Sequence, residues 1–261
     1  EEFVVWLHDM DHYDKDKMMK VSFSRLSDDS YRPDAALTPF VGLYDDTTNP
    51  RVRLKHAIEA FPEFLFEAVK ADSWLAQKSA RSRKVREARK KYHGLSEDGA
   101  AAIHLYTKES PLYVVLNEKL RSAERQTDEF KKHFYPYMRI LMGAILAVAG
   151  SEPTKTMVNR GVTIDLASKF PDDIAVGKSM VWWSFSSCTK KIDVLDNPMF
   201  LGVSGRRTIF QILTAQGAEV DEFSSMADEF EYLLPPGTVL KIDGIFKAGG
   251  DLTIIQCSDD P

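Results

Sequence analysis

Two carboxylates one residue apart, Glu229 and Glu231, stand directly before an apolar run and a Pro-Pro-Gly turn at 235–237. On an extended chain successive side chains alternate between faces, so both carboxylates are predicted to point the same way. Like charges directed at one point repel each other, and proteins concentrate such arrangements at sites of catalysis or binding. A solvated pair at the start of a strand is the structural alternative. The spacing alone leaves both interpretations open.

Two further groups of polar residues precede this pair. An arginine and a glycine, Arg160 and Gly161, lie in an apolar stretch, 158–162 (VNRGV), that predicts a strand. Hydroxyl side chains follow a group of aromatic ones at 182–189 (WWSFSSCT). Arginine offers a permanently charged fork suited to phosphate or to bracing a site, and glycine lets a ligand approach the backbone closely. Taken singly, each feature also has a structural explanation: an arginine paired with an acid, a serine within a sheet, tryptophans in the core.

The order of these pieces, an arginine, a serine strand and then Glu-x-Glu before LLPPG, resembles the Arg–Ser–Glu class of mono-ADP-ribosyltransferases. The similarity covers roughly residues 94–250. At the serine strand the chain reads Ser-Cys-Thr where Ser-Thr-Ser is usual in that family, which keeps the first hydroxyl and puts only the later ones in doubt. Four other segments are also similar to the family: 94–97 (GLSE), 102–107 (AIHLYT), 200–202 (FLG) and 207–212 (RTIFQI).

The resemblance implies transfer of ADP-ribose from NAD, as substrate, to a protein side chain, with release of nicotinamide. Cleavage of the nicotinamide–ribose bond leaves a sugar cation like the oxocarbenium ion of glycoside cleavage. Glu231 is then expected beside the ribose, where a carboxylate stabilises the developing cation. Ser187 is expected to hold that carboxylate, assisted by Ser186 or Thr189. Arg160 and Gly161 are expected to bind the dinucleotide.

The resemblance also implies roles for Glu229 and Phe200. In that family a Glu two residues before the catalytic Glu goes with arginine as the modified residue, whereas Gln there often goes with other acceptors. A guanidinium, with a pKa above about 12, must be oriented and relieved of a proton before it attacks, and a carboxylate does both. Phe200 is expected to stack on the nicotinamide or adjacent ribose, with core packing as the alternative. The segment 223–225 is expected in the target-recognition turn.

Several other functions are weighed against arginine transfer. An NAD glycohydrolase traps the same cation with water, and transfer to a non-arginine side chain uses the same site. A non-catalytic binding module predicts missing carboxylates or a broken arginine strand, and neither is seen. The chain also contains a cluster with metal-ligand residue types at 8–12 (HDMDH), but it lacks helical periodicity and is interpreted as a polar loop, so no metal is predicted.

Composition narrows the broad class. The 261 residues are 44% hydrophobic and 28% charged, which is ordinary for a soluble globular protein. A net charge of −5 argues against nucleic acid as the main partner. The apolar run 140–150 is about half the length of a membrane span, so it predicts a buried helix and no transmembrane segment is expected. Two cysteines, Cys188 and Cys257, favour free thiols in a reducing compartment, with a disulfide between them in a secreted form as the alternative. Localisation stays unknown: the cytoplasm, or delivery into a host cytoplasm, is favoured over a disulfide-rich secreted protein, and a host regulator, a secreted toxin and an injected effector are all left open. The start at Glu1 without methionine is expected of a processed fragment.

Helices first and strands afterwards predict an α+β fold. The resemblance adds that an N-terminal helical region packs on a mixed two-sheet β core of the ADP-ribosyltransferase type. We expect residues 1–50 to be an extension of unclear role and 51–261 to be an ADP-ribosyltransferase-like domain, helical over 51–150 and a β-rich NAD-binding core over 151–261. Target protein and oligomeric state are left open.

Local patterns predict the individual elements. A helical stripe from Arg51 is interrupted by Pro62, which leaves a kinked helix and two shorter helices equally open, and Ser96 is a plausible N-cap. The basic run 81–91 is interpreted as a solvated helix face, with contact to an acidic protein, a membrane surface or nuclear targeting as alternatives. Further helices are expected around 111–123 and 127–149, and strands at 156–164, 179–189, 207–214, 229–234, 238–245 and 251–257.

Overall fold

The computed structural model describes residues 40–150, 154–196, 201–226 and 230–259. The sequence also predicts short strands at 3–7 and 21–24. These strands and the polar loop at 8–12 lie outside the described residues, as do Phe200 and Glu229. Within the described part all α-helices except one single turn precede the strands, and the α+β class is confirmed.

In the described part of the chain, four of the six α-helices that precede the first strand begin at a residue whose side chain caps the helix. Pro62 occupies the N-cap position of the second helix, so the predicted interruption is a boundary between two helices. Ser96 caps the fourth helix as predicted, its hydroxyl accepting from Gly99 N. The helices are α1 Leu54–Glu59, α2 Glu63–Ala80, α3 Arg83–Arg89, α4 Glu97–Thr107, α5 Pro111–Arg121, α6 Asp128–Ala149 and, after the first strand, the single turn α7 Leu166–Lys169.

Helix α4 lies at the centre of the helical core. Its Ala100–Ile103 stretch is fully buried, and the Tyr137 hydroxyl of α6 donates to Ala102 O at 2.9 Å. The apolar run at 140–150 forms the C-terminal half of α6, so the predicted helix is confirmed. Only one side of it is buried: Leu141, Ala144 and Ile145 lie in the core, whereas Leu146 is 59% exposed. Among the residues that the structure describes, no helix combines the length and apolar composition needed to cross a bilayer.

The strands form one mixed eight-stranded sheet in the order β2-β7-β8-β4-β1-β3-β6-β5. The family resemblance implied two sheets. The strands are continuous here because a single residue pair, Asn159 with Thr189, joins β1 to β3. The strands are β1 Thr156–Val162, β2 Ser179–Trp182, β3 Ser186–Thr189, β4 Arg207–Thr214, β5 Ala218–Glu219, β6 Glu231–Leu234, β7 Thr238–Gly249 and β8 Leu252–Asp259.

The strand predicted at 179–189 is wrong as a single element. The chain breaks between Trp182 and Ser186, so β2 pairs with β7 at one edge whereas β3 lies between β1 and β6. Phe185, in the break, is buried in the helical core beside Tyr106 at 5.2 Å between ring centroids. Burial of this ring fixes the point where the chain leaves one edge and crosses to the other half of the sheet.

The two faces of the sheet contribute to separate cores. On the helical side Phe223 and Leu233 pack with α4 and α6 residues in the main cluster. On the other side a second cluster is built on β1, β4, β7 and β8, with Val158, Ile212 and Leu240 fully buried. The β3–β6 pair contacts both cores, through Leu233 on the helical side and through Cys188, Tyr232 and Leu234 on the other.

Candidate active site

Three neighbouring strands bring Arg160, Ser187 and Glu231 together. Thr189 of β3 pairs with both Asn159 of β1 and Glu231 of β6, so the register sets the three positions side by side. Arg160 Nη1 donates to the Ser187 backbone oxygen at 2.6 Å, and the Ser187 hydroxyl hydrogen-bonds the Glu231 carboxylate. The predicted arginine, serine and glutamate thus form one continuous contact chain.

Glu231 is a buried carboxyl group with only 4% of its surface exposed. Burial raises the pKa of Glu231, and hydrogen bonds from Ser187 and Ser224 act in the opposite direction without cancelling it. Ser224 Oγ donates to Glu231 Oε2 at 3.1 Å. Sequence reasoning placed Ser224 in a recognition turn and missed this contact, because nothing in the spacing of the two residues signals it.

The segment before Glu231 is tied to helix α4 and to β6. Val220 N donates to Glu231 O at 2.9 Å, and Ser225 N donates to Thr107 Oγ1, at the last residue of α4, also at 2.9 Å. Met226 N donates to Ser224 Oγ at 3.0 Å, so the serine that holds the carboxylate is itself held by the turn. Position and orientation of Glu231 therefore depend on both layers of the fold.

The chain immediately before Glu231 is not extended. Phe230 has φ of 49°, a left-handed conformation that bulky residues rarely adopt, and Lys191 Nζ lies 3.3 Å from its ring centroid. Phe230 is therefore not part of the predicted strand, and β6 begins at Glu231. Glu229 lies outside the described residues, so its expected role stays a prediction.

The other predicted ligand-binding residues have different surroundings. Ser186 is buried, and its hydroxyl donates to Ser184 O at 3.2 Å rather than to Glu231. A Cβ atom at Gly161 would lie 2.7 Å from Leu201 Cβ, and close packing by Leu201 accounts for this glycine without a ligand. Close approach of a dinucleotide to Gly161 and stacking of Phe200 stay predictions.

A second arginine that the sequence did not single out lies near Arg160. Burial lowers the pKa of Arg121, at the end of α5, and the charge of Arg160 lowers it further. Arg160 lies 5.9 Å from the Trp182 ring centroid, and Arg125 lies 4.0 Å from that of Trp183. Arg121 and Arg160 come from elements far apart in the sequence, α5 and β1, so no local pattern could predict their proximity. The result is a positively charged region suited to an anionic ligand.

A metal centre has no candidate in this part of the chain. Across 40–150, 154–196, 201–226 and 230–259, no group of three or more His, Cys, Asp or Glu side chains is arranged to hold an ion.

A helical layer followed by a mixed sheet, with an arginine, a serine and a buried glutamate on three adjacent strands, defines the ADP-ribosyltransferase class. Residues 50–259 match the family described as ART: NAD:arginine ADP-ribosyltransferase. The chain therefore belongs to the NAD:arginine ADP-ribosyltransferase family.

Individual relatives are more distant. NAD(P)(+)–arginine ADP-ribosyltransferase 2 of Gallus gallus is 28% identical over 166 residues, which cover 61% of this chain and 48% of that protein. The chain thus spans about half the length of the curated relatives it matches. The type III effector XopAI of Xanthomonas axonopodis pv. citri is 15% identical with a TM-score of 0.60, covering 87% of this chain and 97% of that one. A variant of eukaryotic ART2.2 in complex with NAD is 18% identical with a TM-score of 0.54, covering 80% and 83%. These two structures share the fold.

Proposed function

We propose that this protein transfers ADP-ribose from NAD to an arginine side chain of a protein and releases nicotinamide. The observation that carries the proposal is the buried Glu231 carboxylate, held by Ser187 and linked through it to Arg160. Membership of the arginine ADP-ribosyltransferase family supports both the substrate and the acceptor.

The chemistry of the site follows from the charges it offers. Loss of nicotinamide leaves positive charge on the ribose, and a fixed carboxylate stabilises that charge without reorganising during the reaction. Hydrogen bonds from Ser187 and Ser224 orient Glu231 in advance. Arg160, with Arg121 nearby, supplies the positive charge that the pyrophosphate of NAD requires.

The remaining assignments are part of the same proposal. Glu229 orients the acceptor guanidinium and takes its proton, and Phe200 stacks on the nicotinamide. Residues 51–261 form the transferase-like domain, helical over 51–150 with an NAD-binding core over 151–261, and residues 1–50 precede it as an extension. The fit of the family to residues 50–259 supports these boundaries.

Incubation with NAD carrying a label in its adenine half, together with an arginine-rich protein, tests the acceptor. Label bound to protein at arginine supports the proposal; label found only in free ADP-ribose supports an NAD glycohydrolase, and label on other side chains supports a different acceptor. Glu229→Gln is expected to retain NAD cleavage and lose arginine transfer. Equal loss of both activities would refute this division of roles.

We also propose that the protein acts inside a host cell, as a toxin or effector. The fold shared with the effector XopAI is consistent with it. Mass spectrometry of host-cell lysate treated with the protein and NAD would identify the modified protein and residue; lysates in which no host protein gains ADP-ribose would contradict this role.

A further inference from the structure

Helix α3 carries a dense set of exposed cations on the outside of the molecule. Its Val85 and Ala88 are buried and anchor one side of the helix. Cations near its ends are neutralised within the fold: Arg81 by Glu97, Lys90 by Glu87 and Lys91 by Glu222. Arg83, Lys84 and Arg86 are exposed and form neither a side-chain hydrogen bond nor an ion pair within the described part of the chain.

This basic surface, defined by Arg83, Lys84 and Arg86, adjoins the segment that positions Glu231. Lys91 forms an ion pair with Glu222, and the Tyr92 hydroxyl donates to the same carboxylate at 2.8 Å. The Tyr92 and Phe223 rings meet edge-on with centroids 5.6 Å apart. One residue further on, Ser224 holds the Glu231 carboxylate. The end of α3 is therefore fastened to the segment that leads into the catalytic strand.

The charges alternate along this part of the surface. Burial raises the pKa of Glu222, but hydrogen bonds from Lys91 and Tyr92 and the charge of Lys84 outweigh it and leave the pKa below its usual range. Burial, followed by the charge of Glu219, raises the pKa of the neighbouring Asp221. An acidic segment thus lies between the basic surface and the catalytic carboxylate. Such a pattern attracts a cation on one side and anions on the other.

We infer that the basic surface docks the acceptor protein through acidic residues that accompany the modified arginine. The inference rests on the proposed function, and it extends that function by specifying the acceptor's charge pattern: the arginine turns toward the carboxylates and the acidic flank toward α3. The end of α3 is fastened to the segment that positions Glu231, so a partner docked beside it lies next to the catalytic strand, which favours the acceptor protein as the occupant.

Steady-state transfer to long synthetic peptides tests this surface. Each peptide has one central arginine with acidic, serine or lysine flanks, and free agmatine serves as a guanidine without flanks. The acidic peptide is expected to have a KM about tenfold below that of the serine peptide at low salt, with kcat unchanged and the advantage lost at high salt. In the triple variant Arg83→Gln/Lys84→Gln/Arg86→Gln this advantage is expected to disappear while transfer to agmatine stays at the wild-type rate.

A matched variant removes the same charge elsewhere. Lys178→Gln/Lys241→Gln/Lys247→Gln changes exposed cations on and beside β2 and β7, at the opposite end of the sheet order from β6. It is expected to keep the acidic preference. Equal KM for all peptides in the wild type, an unchanged preference in the α3 variant, or equal loss in both variants would overturn the inference. So would binding of the wild type, but not the α3 variant, to phosphatidylserine vesicles without any peptide preference. Absence of transfer to every guanidine, agmatine included, would instead count against the proposed function.

Discussion

At the residue scale, Glu231 meets two opposing requirements. Its carboxylate must be ionised to stabilise a sugar cation, yet 4% exposure makes that charge costly to bury. Hydrogen bonds from Ser187 and Ser224 offset part of the cost and fix the orientation, but the pKa of Glu231 stays raised. As the pH is lowered, activity is therefore expected to fall at a higher pH than it would with an exposed glutamate.

Replacement of Glu231 by glutamine is expected to stabilise the fold at neutral pH by about 1 kcal/mol. Because the folded-state pKa lies above the unfolded one, the wild type is favoured below the unfolded pKa and loses that contribution as pH rises through the folded pKa. The variant lacks this loss, so its advantage should grow with pH across that window. Chemical denaturation of both proteins over acidic to neutral pH measures it; a constant difference at all pH values would contradict the prediction.

Ser224→Ala is expected to slow NAD cleavage through Glu231 rather than through the fold. Loss of one hydrogen bond to the ionised carboxylate raises its pKa further, so the acidic limb of the pH–rate profile moves to higher pH. At pH values where Glu231 is mostly protonated, the variant should be about tenfold slower than the wild type.

The pH profile of kcat separates a positioning role of Ser224 from a merely structural one. Ser224→Thr keeps a hydroxyl and should retain the wild-type limb. Ser168→Ala removes a hydroxyl that bonds Asp165, in the separate helix α7, and should leave the profile unchanged. A uniform loss of rate at every pH in Ser224→Ala would show that the hydrogen bond does not tune Glu231.

At the element scale, the site depends on the pairing of β1 with β3 and β4. Arg160 lies next to the single residue pair that joins β1 to β3. Gly161 pairs with Ile209 of β4 and packs closely against Leu201. Small displacement of β1 therefore moves the arginine relative to Ser187. Close packing at the glycine is one of the contacts that fixes this strand.

Gly161→Ala is expected to destabilise the protein by about 1–3 kcal/mol, since the new methyl group would overlap Leu201 Cβ at 2.7 Å. It should also weaken NAD binding by displacing Arg160. Gly244→Ala in β7 is the matched control, because its nearest neighbour is the end of the flexible Gln256 side chain at 3.3 Å. Thermal unfolding of both variants, with NAD titration, measures the effects. If the two variants are equally stable, Leu201 moves aside for the new methyl group without a loss of stability, which would contradict the prediction.

Elements with a complete local pattern could be predicted from the sequence. Strand β4 begins and ends where alternation predicted, and both Ser96 and Pro62 mark helix starts. The break between β2 and β3 could not be found, because residues 179–189 contain no glycine, proline, asparagine or aspartate to mark a turn, and burial of Phe185 is a tertiary contact. Strand β5 has two residues, too few for any periodicity.

The main residues of the candidate site could be predicted from the sequence, but their packing contacts could not. Arg160, Ser187 and Glu231 were identified from their order along the chain, which follows the family pattern. The Ser224 contact and the proximity of Arg121 to Arg160 are long-range consequences of packing. A left-handed phenylalanine at 230 contradicts the preference of its residue type, so strand alternation was the wrong guide there.

At the scale of the whole molecule, the helical layer and the sheet act as one support for the site. Helix α4 holds the turn before Glu231, and both cysteines are buried in the sheet core on the other face. Burial raises the pKa of Cys188 and of Cys257 to about 12. Both thiols are therefore protonated and shielded in the native state.

Neither cysteine is expected to react with an alkylating reagent at pH 8 while the protein is folded, and both should react together once denaturant unfolds it. Quantitative mass spectrometry of the two cysteine-containing peptides along a denaturation series measures this. Early labelling of Cys188 alone would show that the active strand opens separately from the rest of the sheet.

Comparison of the wild type with Glu231→Gln, using labelled NAD and an arginine acceptor, tests the central claim most directly. Nicotinamide release and ADP-ribosyl-arginine are measured in the same samples, and circular dichroism establishes that the variant is folded. The wild type should form both products, and the folded variant should lose both by at least about 100-fold. Undiminished nicotinamide release by Glu231→Gln would contradict the assignment of this carboxylate to the reacting ribose.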